Sequence, residues 1–317
     1  MRNSPLQIEP LEFDHFDSWR SDLIDRWVQL RSQSGKVTSK EAMATVTRII
    51  EKRFPEELNT AGQFVLRILE SGVNQGSLWL EIEGTRGFLY DAALNESVDI
   101  EDVRNLIEEE ARTRGALELR VNVFSGDQLL KTLTSSDKFV TISSQMWLLD
   151  SPTNGSEELN PALVVRPMTL EEFPDYFQGQ VDTYAAEKVA AGKCTLEEAL
   201  SESKEEMANL LPDGLMSEGQ FVFVAELRNE RIGTVWVDID TDLEVPRAFG
   251  LDIEIDNALR GQGLGRDLMR TTQAECRKRG AKGFALSVFG HNSIARKMYE
   301  SFGFEVTEEM KKMVLTA

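Results

Sequence analysis

Residues 250–304 carry the pattern that decides the fold, GLDIEIDNALRGQGLGRDLMRTTQAECRKRGAKGFALSVFGHNSIARKMYESFGF. Apolar and polar residues alternate at its start, as in a half-buried strand, and apolar residues recur at helical spacing after the glycines. The pattern predicts a strand, a glycine-rich turn, a helix, a second strand and a second helix, over Phe249–Ile255, Arg260–Arg266, residues up to about Arg279, Phe284–Phe289 and residues from Asn292. Such alternation predicts an α/β domain with a mixed sheet.

The turn Arg260–Arg266 is the strongest chemical signal in this stretch. It lies between a strand and a helix, where backbone N–H groups and the positive end of the helix dipole can hold a pyrophosphate. It is not a dinucleotide fingerprint, because Arg266 stands where that motif needs glycine, and no Lys-Ser/Thr pair follows to make a P-loop. A purely structural turn is the alternative.

Two motifs in this stretch resemble the GNAT superfamily of acyl-CoA-dependent N-acyltransferases. The first, Arg/Gln-x-x-Gly-x-Gly/Ala, matches Arg260, Gly263 and Gly265. The second, Asn with Ala at +3 and Tyr at +7 and Gly-Phe after it, matches Asn292, Ala295, Tyr299 and Gly303-Phe304. Both occur in the expected order, separated by a helix and a strand, so the resemblance covers residues 163–317.

The resemblance implies a V-shaped opening between two strands, in which acetyl-CoA binds as the acyl donor without a metal. Its pantetheine arm would pair with the strand at Ile253 and Ile255. Its pyrophosphate would rest on the amides of the turn. The implied cofactor-binding residues, besides those two isoleucines, are Arg260, Gly261, Gln262, Gly263, Leu264, Gly265, Arg266 and Asn292.

Direct acyl transfer to a neutral amine needs an oxyanion donor, an acid for the leaving thiolate and a route for the amine proton. The resemblance implies a backbone N–H near Ile255 as the oxyanion donor and Tyr299 as the acid, a side chain whose ordinary pKa is about 10. Packing on the last helix is the alternative role for Tyr299. Substrate selection in this family usually falls to the first two helices, so Tyr184 and Glu187 are candidates to contact the amine, although Tyr184 could equally be core.

Upstream of the opening stretch, the chain repeats itself. Shifted by 157 residues, GKVTSKEA at 35–42 falls on GKCTLEEA at 192–199, and GQFV at 62–65 falls on the identical GQFV at 219–222. Downstream the shift becomes 165, where RTRGA at 112–116 falls on RKRGA at 277–281. The chain is therefore interpreted as a duplication of one unit, which predicts two tandem domains.

Local patterns predict further elements in the second copy. These are a strand at Leu163–Pro167, helices from Thr169 and from Thr195, whose spacing to Glu198 fits a capping box, a hairpin of Phe221–Leu227 and Ile232–Ile239, and a final strand pair near Phe304–Leu315. The predicted domains are 1–150 and 162–317, with the Ser-, Pro- and Gly-containing segment 151–161 as a linker.

The first copy is expected to keep the fold but lose acetyl-CoA binding, and to be non-catalytic. Residues 87–94 fall on 248–255 at a shift of 161, whereas the following helix aligns at 165, so four residues are missing from the turn of the first copy. What remains, 95–99, has no glycine and two carboxylates, which repel phosphate. Thr134 stands at the Tyr299 position, and Asp127 at the Asn292 position.

The two copies also rank the candidates for the general base. Asp252 and Glu254 share one face of their strand by its period of two. Asp252 persists as Asp91 in the first copy, which favours a structural role, whereas Glu254 becomes Ala93. Glu254 is therefore the predicted base or water-chain anchor, with a solvated strand carboxylate as the alternative. His291 is a further candidate for a proton relay.

Composition limits the partners. The 317 residues carry 35 Lys and Arg against 54 Asp and Glu, a formal charge of −19, which disfavours nucleic acid and attracts cationic amines. Two isolated cysteines and two histidines argue against a metal site and fit buried thiols in a reducing cytoplasm. No signal peptide or membrane-spanning segment is predicted. A monomer or homodimer is expected.

The sequence thus predicts an N-acetyltransferase that acts on a primary amine of a small molecule or peptide. Two alternatives stay open. One is a non-catalytic acyl-CoA-binding or scaffold protein, and the other is acetylation of a cysteinyl-sugar amine, as in mycothiol synthase, which the tandem architecture resembles.

Overall fold

The computed structural model describes residues 5–149 and 159–315. They divide into two compact units, unit 1 of Met1–Ser143 with Thr307–Ala317 and unit 2 of Ser144–Val306. Most of the predicted linker, residues 151–158, lies outside the described residues. Within the described ranges, no helix is both long and apolar enough to cross a membrane.

Both halves of the chain follow one order of elements. The first half contains β1 (Leu6–Pro10), α1 (Phe16–Ser32), α2 (Ser39–Arg53), β2 (Gln63–Glu70), β3 (Val73–Glu83), β4 (Arg86–Leu94), α3 (Ile100–Thr113), β5 (Glu118–Phe124), α4 (Gln128–Leu133) and β6 (Val140–Leu149). The second contains β7 (Leu163–Pro167), α5 (Phe173–Ala190), α6 (Leu196–Leu210), β8 (Gln220–Leu227), β9 (Glu230–Asp240), β10 (Arg247–Ile255), α7 (Leu264–Lys278), β11 (Gly283–Phe289), α8 (Ser293–Ser301) and β12 (Glu305–Val314). The α/β class with a mixed sheet is confirmed, because antiparallel strands surround the parallel pairs β4–β5 and β10–β11.

Local signals explain how several elements begin and end. Thr195 and Glu198 form the predicted capping box at the start of α6, and Thr38 and Glu41 form the same box at α2. The predicted hairpin of β8 and β9 forms, but its turn is shorter than the predicted residues 228–231: Arg228 and Asn229 alone connect the strands, with φ of 55° and 69°. Two consecutive left-handed residues are the geometry that lets a two-residue turn follow the twist of paired strands.

The last strand of each half joins the other unit. In unit 1, β12 pairs antiparallel with β5, from Glu308 opposite Phe124 to Val314 opposite Glu118. In unit 2, β6 lies beside β11, and a Cβ atom on Gly283 would come within 1.9 Å of the Trp147 ring. The two copies have therefore exchanged their C-terminal strands.

This exchange corrects two predictions. The expected final strand pair near Phe304–Leu315 is the single strand β12, because EVTEEMKKMV contains no Gly, Pro or Asn to turn the chain and pairs with β5 instead. The predicted domains 1–150 and 162–317 also differ from the compact units, since residues from Ser144 belong to unit 2 and residues from Thr307 belong to unit 1.

Glutamine and tryptophan residues that match at the shift of 157, Gln63 with Gln220 and Trp79 with Trp236, form the same polar network in each unit. In unit 1, Trp79 Nε1 donates to Gln63 Oε1 at 2.7 Å, and Gln63 Nε2 donates to Glu81 at 2.6 Å. In unit 2, Trp236 donates to Gln220 at 2.7 Å, and Gln220 donates to Asp238 at 2.8 Å. Each tryptophan is fully buried, so its N–H needs a partner inside the protein. A structural requirement therefore accounts for the matching Gln and Trp.

Candidate active site

Strand β10 leaves its parallel neighbour halfway along its length. It pairs with β11 only from Ala248 to Gly250 within the described residues, whereas its antiparallel pairing with β9 continues to Ile255. The register with β9 shifts between Gly250 and Asp252, which is the mark of a β-bulge. The edge of β10 from residue 251 onward is thus left open, as the predicted V requires.

The glycine turn follows directly at the end of β10. Gly261 and Gly263 have φ of 79° and 82°, a left-handed conformation that favours glycine, and Gly263 caps α7 without a side-chain hydrogen bond. Among the described residues, no backbone or side-chain acceptor takes a hydrogen bond from the N–H groups of 261–265, whereas Arg266 N–H donates to Gly263 O at 3.0 Å. This row of amides at the start of a 15-residue helix fits an anionic phosphate.

The two arginines of the turn point to different tasks. Arg260 donates through Nε to Ile255 O at 3.0 Å and through Nη2 to Glu254 Oε1 at 2.5 Å. Arg266 is exposed, with its guanidinium 5.6 Å from the centre of the Phe302 ring. Arg260 therefore fixes the end of β10, and Arg266 is the cation available beside the amides.

Asp252 is the centre of a hydrogen-bond network on the opposite face of β10 from Ile253 and Ile255. Its Oδ2 accepts from Thr234 Oγ1 at 2.8 Å, from Gln180 Nε2 at 3.0 Å and from the Tyr176 hydroxyl at 3.2 Å. Its Oδ1 accepts no hydrogen bond from any residue in the described ranges. Burial raises the pKa of Asp252 to about 7, assisted by the charges of Glu254 and Glu187 and opposed by the Thr234 and Tyr176 hydrogen bonds.

Tyr299 lies on α8 and packs on Phe304, with ring centres 5.7 Å apart. Burial raises its pKa to about 12, and the negative charges of Asp252 and Glu187 add to the shift. Its hydroxyl is therefore protonated over the whole physiological range, and its acidity depends on the charge of those two carboxylates.

The predicted amine-contacting residues lie on α5. Burial raises the pKa of Glu187, and the charge of Glu254 adds to the rise, while His291 and Arg260 oppose it. The pKa of Glu187 therefore depends on the charges of Glu254 and Arg260 at the end of β10. Tyr184 is half-buried, with its ring 6.1 Å from that of Phe289 and 4.9 Å from Lys188 Nζ, so packing is its visible role.

Asn292 serves as the N-cap of α8, where its Oδ1 accepts from Ala295 N–H at 3.1 Å. Asp127 does the same for α4 of unit 1, accepting from Leu130 N–H at 2.9 Å. Both copies use this side chain as a helix cap. The hydrogen bond that Asn292 makes is therefore one that the fold requires, separate from its predicted contact with the cofactor.

Three residues of the Asp252 network were missed from sequence: Tyr176, Gln180 and Thr234. The internal repeat contained a signal for two of them. At the shift of 157, Tyr176 falls on Trp19 and Gln180 on Leu23, which are both buried apolar residues of α1. Two polar side chains, one helical turn apart, thus replace two core side chains on the same face of the helix. Such a replacement indicates that this face serves a purpose other than packing in unit 2.

Comparison with known proteins places these features in a family. The model of the acetyltransferase (GNAT) family matches residues 188–304. Across 147 residues this chain is 32% identical to the uncharacterized N-acetyltransferase YycN of Bacillus subtilis (strain 168), covering 46% of this chain and 94% of that protein. The uncharacterized N-acetyltransferase YdgE of the same organism is 29% identical over 155 residues, covering 48% of this chain and 99% of that protein.

A solved structure is similar over nearly the whole chain. The crystal structure of a GCN5-related N-acetyltransferase from Sphaerobacter thermophilus matches 98% of this chain and 96% of its own, with a TM-score of 0.53 and 14% sequence identity. At this identity the likeness concerns the fold alone, and it includes both units.

Proposed function

The chain belongs to the GNAT family of acetyltransferases, and from that premise we propose that it transfers an acetyl group from acetyl-CoA to a primary amine of a small molecule or peptide. The observation that carries the choice of donor is the turn at 261–265, whose amides are uncapped at the N-terminus of α7. A pyrophosphate supplies the negative charge that such a turn binds. Arg266 adds a cation, and the open edge of β10 at Ile253 and Ile255 offers backbone groups to a pantetheine amide.

Acetyl-CoA supplies the reactive thioester, and the residues of unit 2 supply the rest. A backbone N–H near Ile255 donates to the developing oxyanion, and Tyr299 holds a proton for the leaving sulfur. A carboxylate on β10 takes the amine proton, for which the sequence pattern favours Glu254. Transfer is direct, within one complex of both substrates.

A cationic amine suits the acceptor side of this site. The charge of Glu254 adds to the rise in the pKa values of Glu187 and Asp252, and the charge of Glu187 adds to that of Asp252, so these carboxylates lie close together. Repulsion among carboxylates is relieved by a bound cation, which gives a protonated amine a favourable place to enter. This argument supports Glu187 as the residue that contacts the incoming amine.

We also propose that the first copy is non-catalytic. In unit 1, Asp99 caps α3 through its own carboxylate, accepting from Glu101 N–H at 2.8 Å and Asp102 N–H at 3.2 Å. The amides that would hold a phosphate are therefore occupied by a negative side chain. Thr134, at the Tyr299 position, is buried and donates its hydroxyl to Leu130 O at 2.7 Å.

A thiol-release assay with acetyl-CoA and a panel of amines tests the proposal. The panel contains cationic small molecules, peptides with free amino groups and a cysteinyl-sugar amine. Release that depends on a primary amine is expected. CoA binding without release on any amine would instead favour the acyl-CoA-binding scaffold, and release with the cysteinyl-sugar amine alone would favour the mycothiol-synthase-like reaction.

A further inference from the structure

The two carboxylates of β10 differ in how free they are to take a proton. Glu254 accepts from Arg260 at 2.5 Å, and the same guanidinium is fixed by Ile255 O, so the carboxylate is held in an ion pair. Protonation of Glu254 would leave that cation without its partner. Asp252 has no cationic partner among the described residues, and its three donors, from Tyr176, Gln180 and Thr234, are neutral.

Resting on the function proposed above, we propose that Asp252, rather than Glu254, accepts the proton of the attacking amine through Oδ1. Tyr176, Gln180 and Thr234 are positioning residues, because all three donate to Oδ2 and leave Oδ1 free. Tyr176 and Gln180 come from α5, and Thr234 comes from β9, the antiparallel neighbour of β10 in the sheet. This arrangement fixes the carboxylate plane without consuming the oxygen that reacts.

The first copy shows what the same carboxylate looks like when it is only structural. Asp91 of β4 lies opposite Trp79 of β3, just as Asp252 of β10 lies opposite Trp236 of β9. Both of its oxygens are used: Oδ2 accepts from Arg26 at 2.6 Å, and Oδ1 accepts from Trp27 Nε1 at 3.2 Å. The persistence of an aspartate in both copies therefore does not make the two equivalent. In unit 1 the Arg26 guanidinium binds the carboxylate of Asp91, whereas in unit 2 no cationic side chain among the described residues binds that of Asp252.

The electrostatic surroundings give Asp252 a basicity suited to the task. Burial raises its pKa to about 7, with Glu254 on its own strand and Glu187 on α5 as the nearby charges that add to the rise. The titratable Tyr176 faces it from α5, and Tyr299 responds to its charge from α8. A base with a pKa near the working pH is both available and able to hold a proton.

The step balances within this pair of residues. The amine nitrogen forms a bond to the acetyl carbon and gives a proton to Asp252, the bond from carbon to sulfur breaks, and the leaving sulfur takes the Tyr299 proton. The charge of Asp252 is one cause of the high pKa of Tyr299, so neutralising Asp252 makes Tyr299 a stronger acid. Solvent then returns the Asp252 proton to the phenolate. Base and acid are thus coupled in the order that the reaction requires.

The test is the pH dependence of kcat at saturating acetyl-CoA and amine for the full chain and three variants. The wild-type rate should rise with pH through an acid limb near 7. Asp252→Asn should lose about 10²–10⁴-fold in kcat, the scale of a removed general base, together with that limb. Glu254→Gln, the matched change on the same strand, should keep the limb but move it to lower pH, because the charge of Glu254 adds to the raised pKa of Asp252. Tyr176→Phe removes one donor to the carboxylate, and the limb should move to higher pH.

The possible results distinguish the assignment of the base from the proposed acetyl transfer. An acid limb that disappears in Glu254→Gln and survives in Asp252→Asn would overturn the assignment while leaving acetyl transfer intact. An unmoved limb in Tyr176→Phe would overturn it as well, and this variant keeps the test decisive if Asp252→Asn does not fold. No turnover of any amine by the wild-type chain would overturn the proposed function itself.

Discussion

The turn that leads into α7 and the turn that leads into α3 occupy the same place in the two halves of the chain and solve the same problem differently. Every helix begins with N–H groups that have no partner inside the helix. In unit 1 five residues, 95–99, connect β4 to α3, and Asp99 closes the amides with its carboxylate. In unit 2 eight residues, 256–263, connect β10 to α7, and the cap is a glycine with no side chain to offer.

This contrast between the two turns separates the features that folding requires from those that ligand binding would require. Folding alone is satisfied by the short, self-capped turn, since α3 forms as well as α7 does. The longer turn gives up the stabilisation of a side-chain cap and adopts left-handed backbone at two glycines. Uncapped amides and a free carboxylate oxygen at Asp252 are both unfavourable without a ligand, and both occur in unit 2.

The largest effect is expected at Tyr299, which has no tyrosine counterpart in the first copy. Tyr299→Phe should lower turnover by about 10²–10⁴-fold because the leaving sulfur loses its proton donor. CoA affinity should change little, since packing on Phe304 is kept. Steady-state kinetics with calorimetric CoA binding measures both. Tyr90→Phe, the same change at a half-buried tyrosine of unit 1, is the control, and an unchanged rate in Tyr299→Phe would remove that residue from the mechanism.

Placing the first copy's cap into the second should convert the open turn into a closed one. Gly263→Asp sets a carboxylate at the N-cap of α7, where it repels phosphate and competes for the amides. CoA binding should weaken by about 100-fold, which corresponds to about 2.7 kcal/mol. Gly115→Asp is the matched control, because Gly115 has φ of 92° and open space around its Cβ position in unit 1. Equal loss of affinity in both variants would show that general destabilisation, and not a carboxylate at the turn, is responsible.

The two corresponding aspartates should respond oppositely to removal of their charge. Burial raises the pKa of both, but of the two only Asp91 has a cationic partner among the described residues. Asp91→Asn leaves the partly exposed Arg26 unpaired and should lower the free energy of unfolding by about 2 kcal/mol, less than for a fully buried pair. The folded-state pKa of Asp252 is raised, so its contribution to stability falls as pH rises from about 4 to 7. Asp252→Asn should therefore be more stable than wild type at pH 8 and about equal below pH 4. Denaturation at the two pH values measures this, and a destabilised Asp252→Asn at pH 8 would contradict it.

The smallest effect is expected from opening the first copy's turn. Asp99→Gly removes the cap of α3 and should lower stability by only about 0.3 kcal/mol, since glycine is itself tolerated as an N-cap. It should create no CoA site, because the turn is three residues shorter between β4 and α3 than its counterpart. Denaturant unfolding and CoA titration of the variant test these points, and new CoA binding would show that the cap alone closed the site.

Periodicity and the glycine turn predicted most of the strands and helices of unit 2, because these signals are local. The capping box at Thr195 and the hairpin turn at 228–229 are of the same kind. The exchange of β6 and β12 could not be predicted, since the pattern of a strand predicts that it joins a sheet but not which of two similar edges it joins. Which of two similar edges a strand joins depends on side-chain fit, such as Trp147 over Gly283.

For the site, the repeat comparison predicted the turn, but sequence alone could not show how the surroundings of Asp252 and Asp91 differ. Shared identity with Asp91 favoured a structural role, whereas the environments differ because Arg26 and Trp27 stand beside one aspartate and Tyr176, Gln180 and Thr234 beside the other. The role of a carboxylate depends on its neighbours in space, and all of these except Thr234 lie on helices 64 to 76 residues away in sequence. Glu254, the predicted base, is likewise joined to Arg260, a residue of the turn that follows its strand.

The stoichiometry of CoA binding to the full chain tests the central claim most directly. Isothermal titration should give one site per chain, because the amides of α7 are open and those of α3 are capped by Asp99. Two sites per chain would contradict the division of the molecule into a fold-keeping copy and a catalytic one.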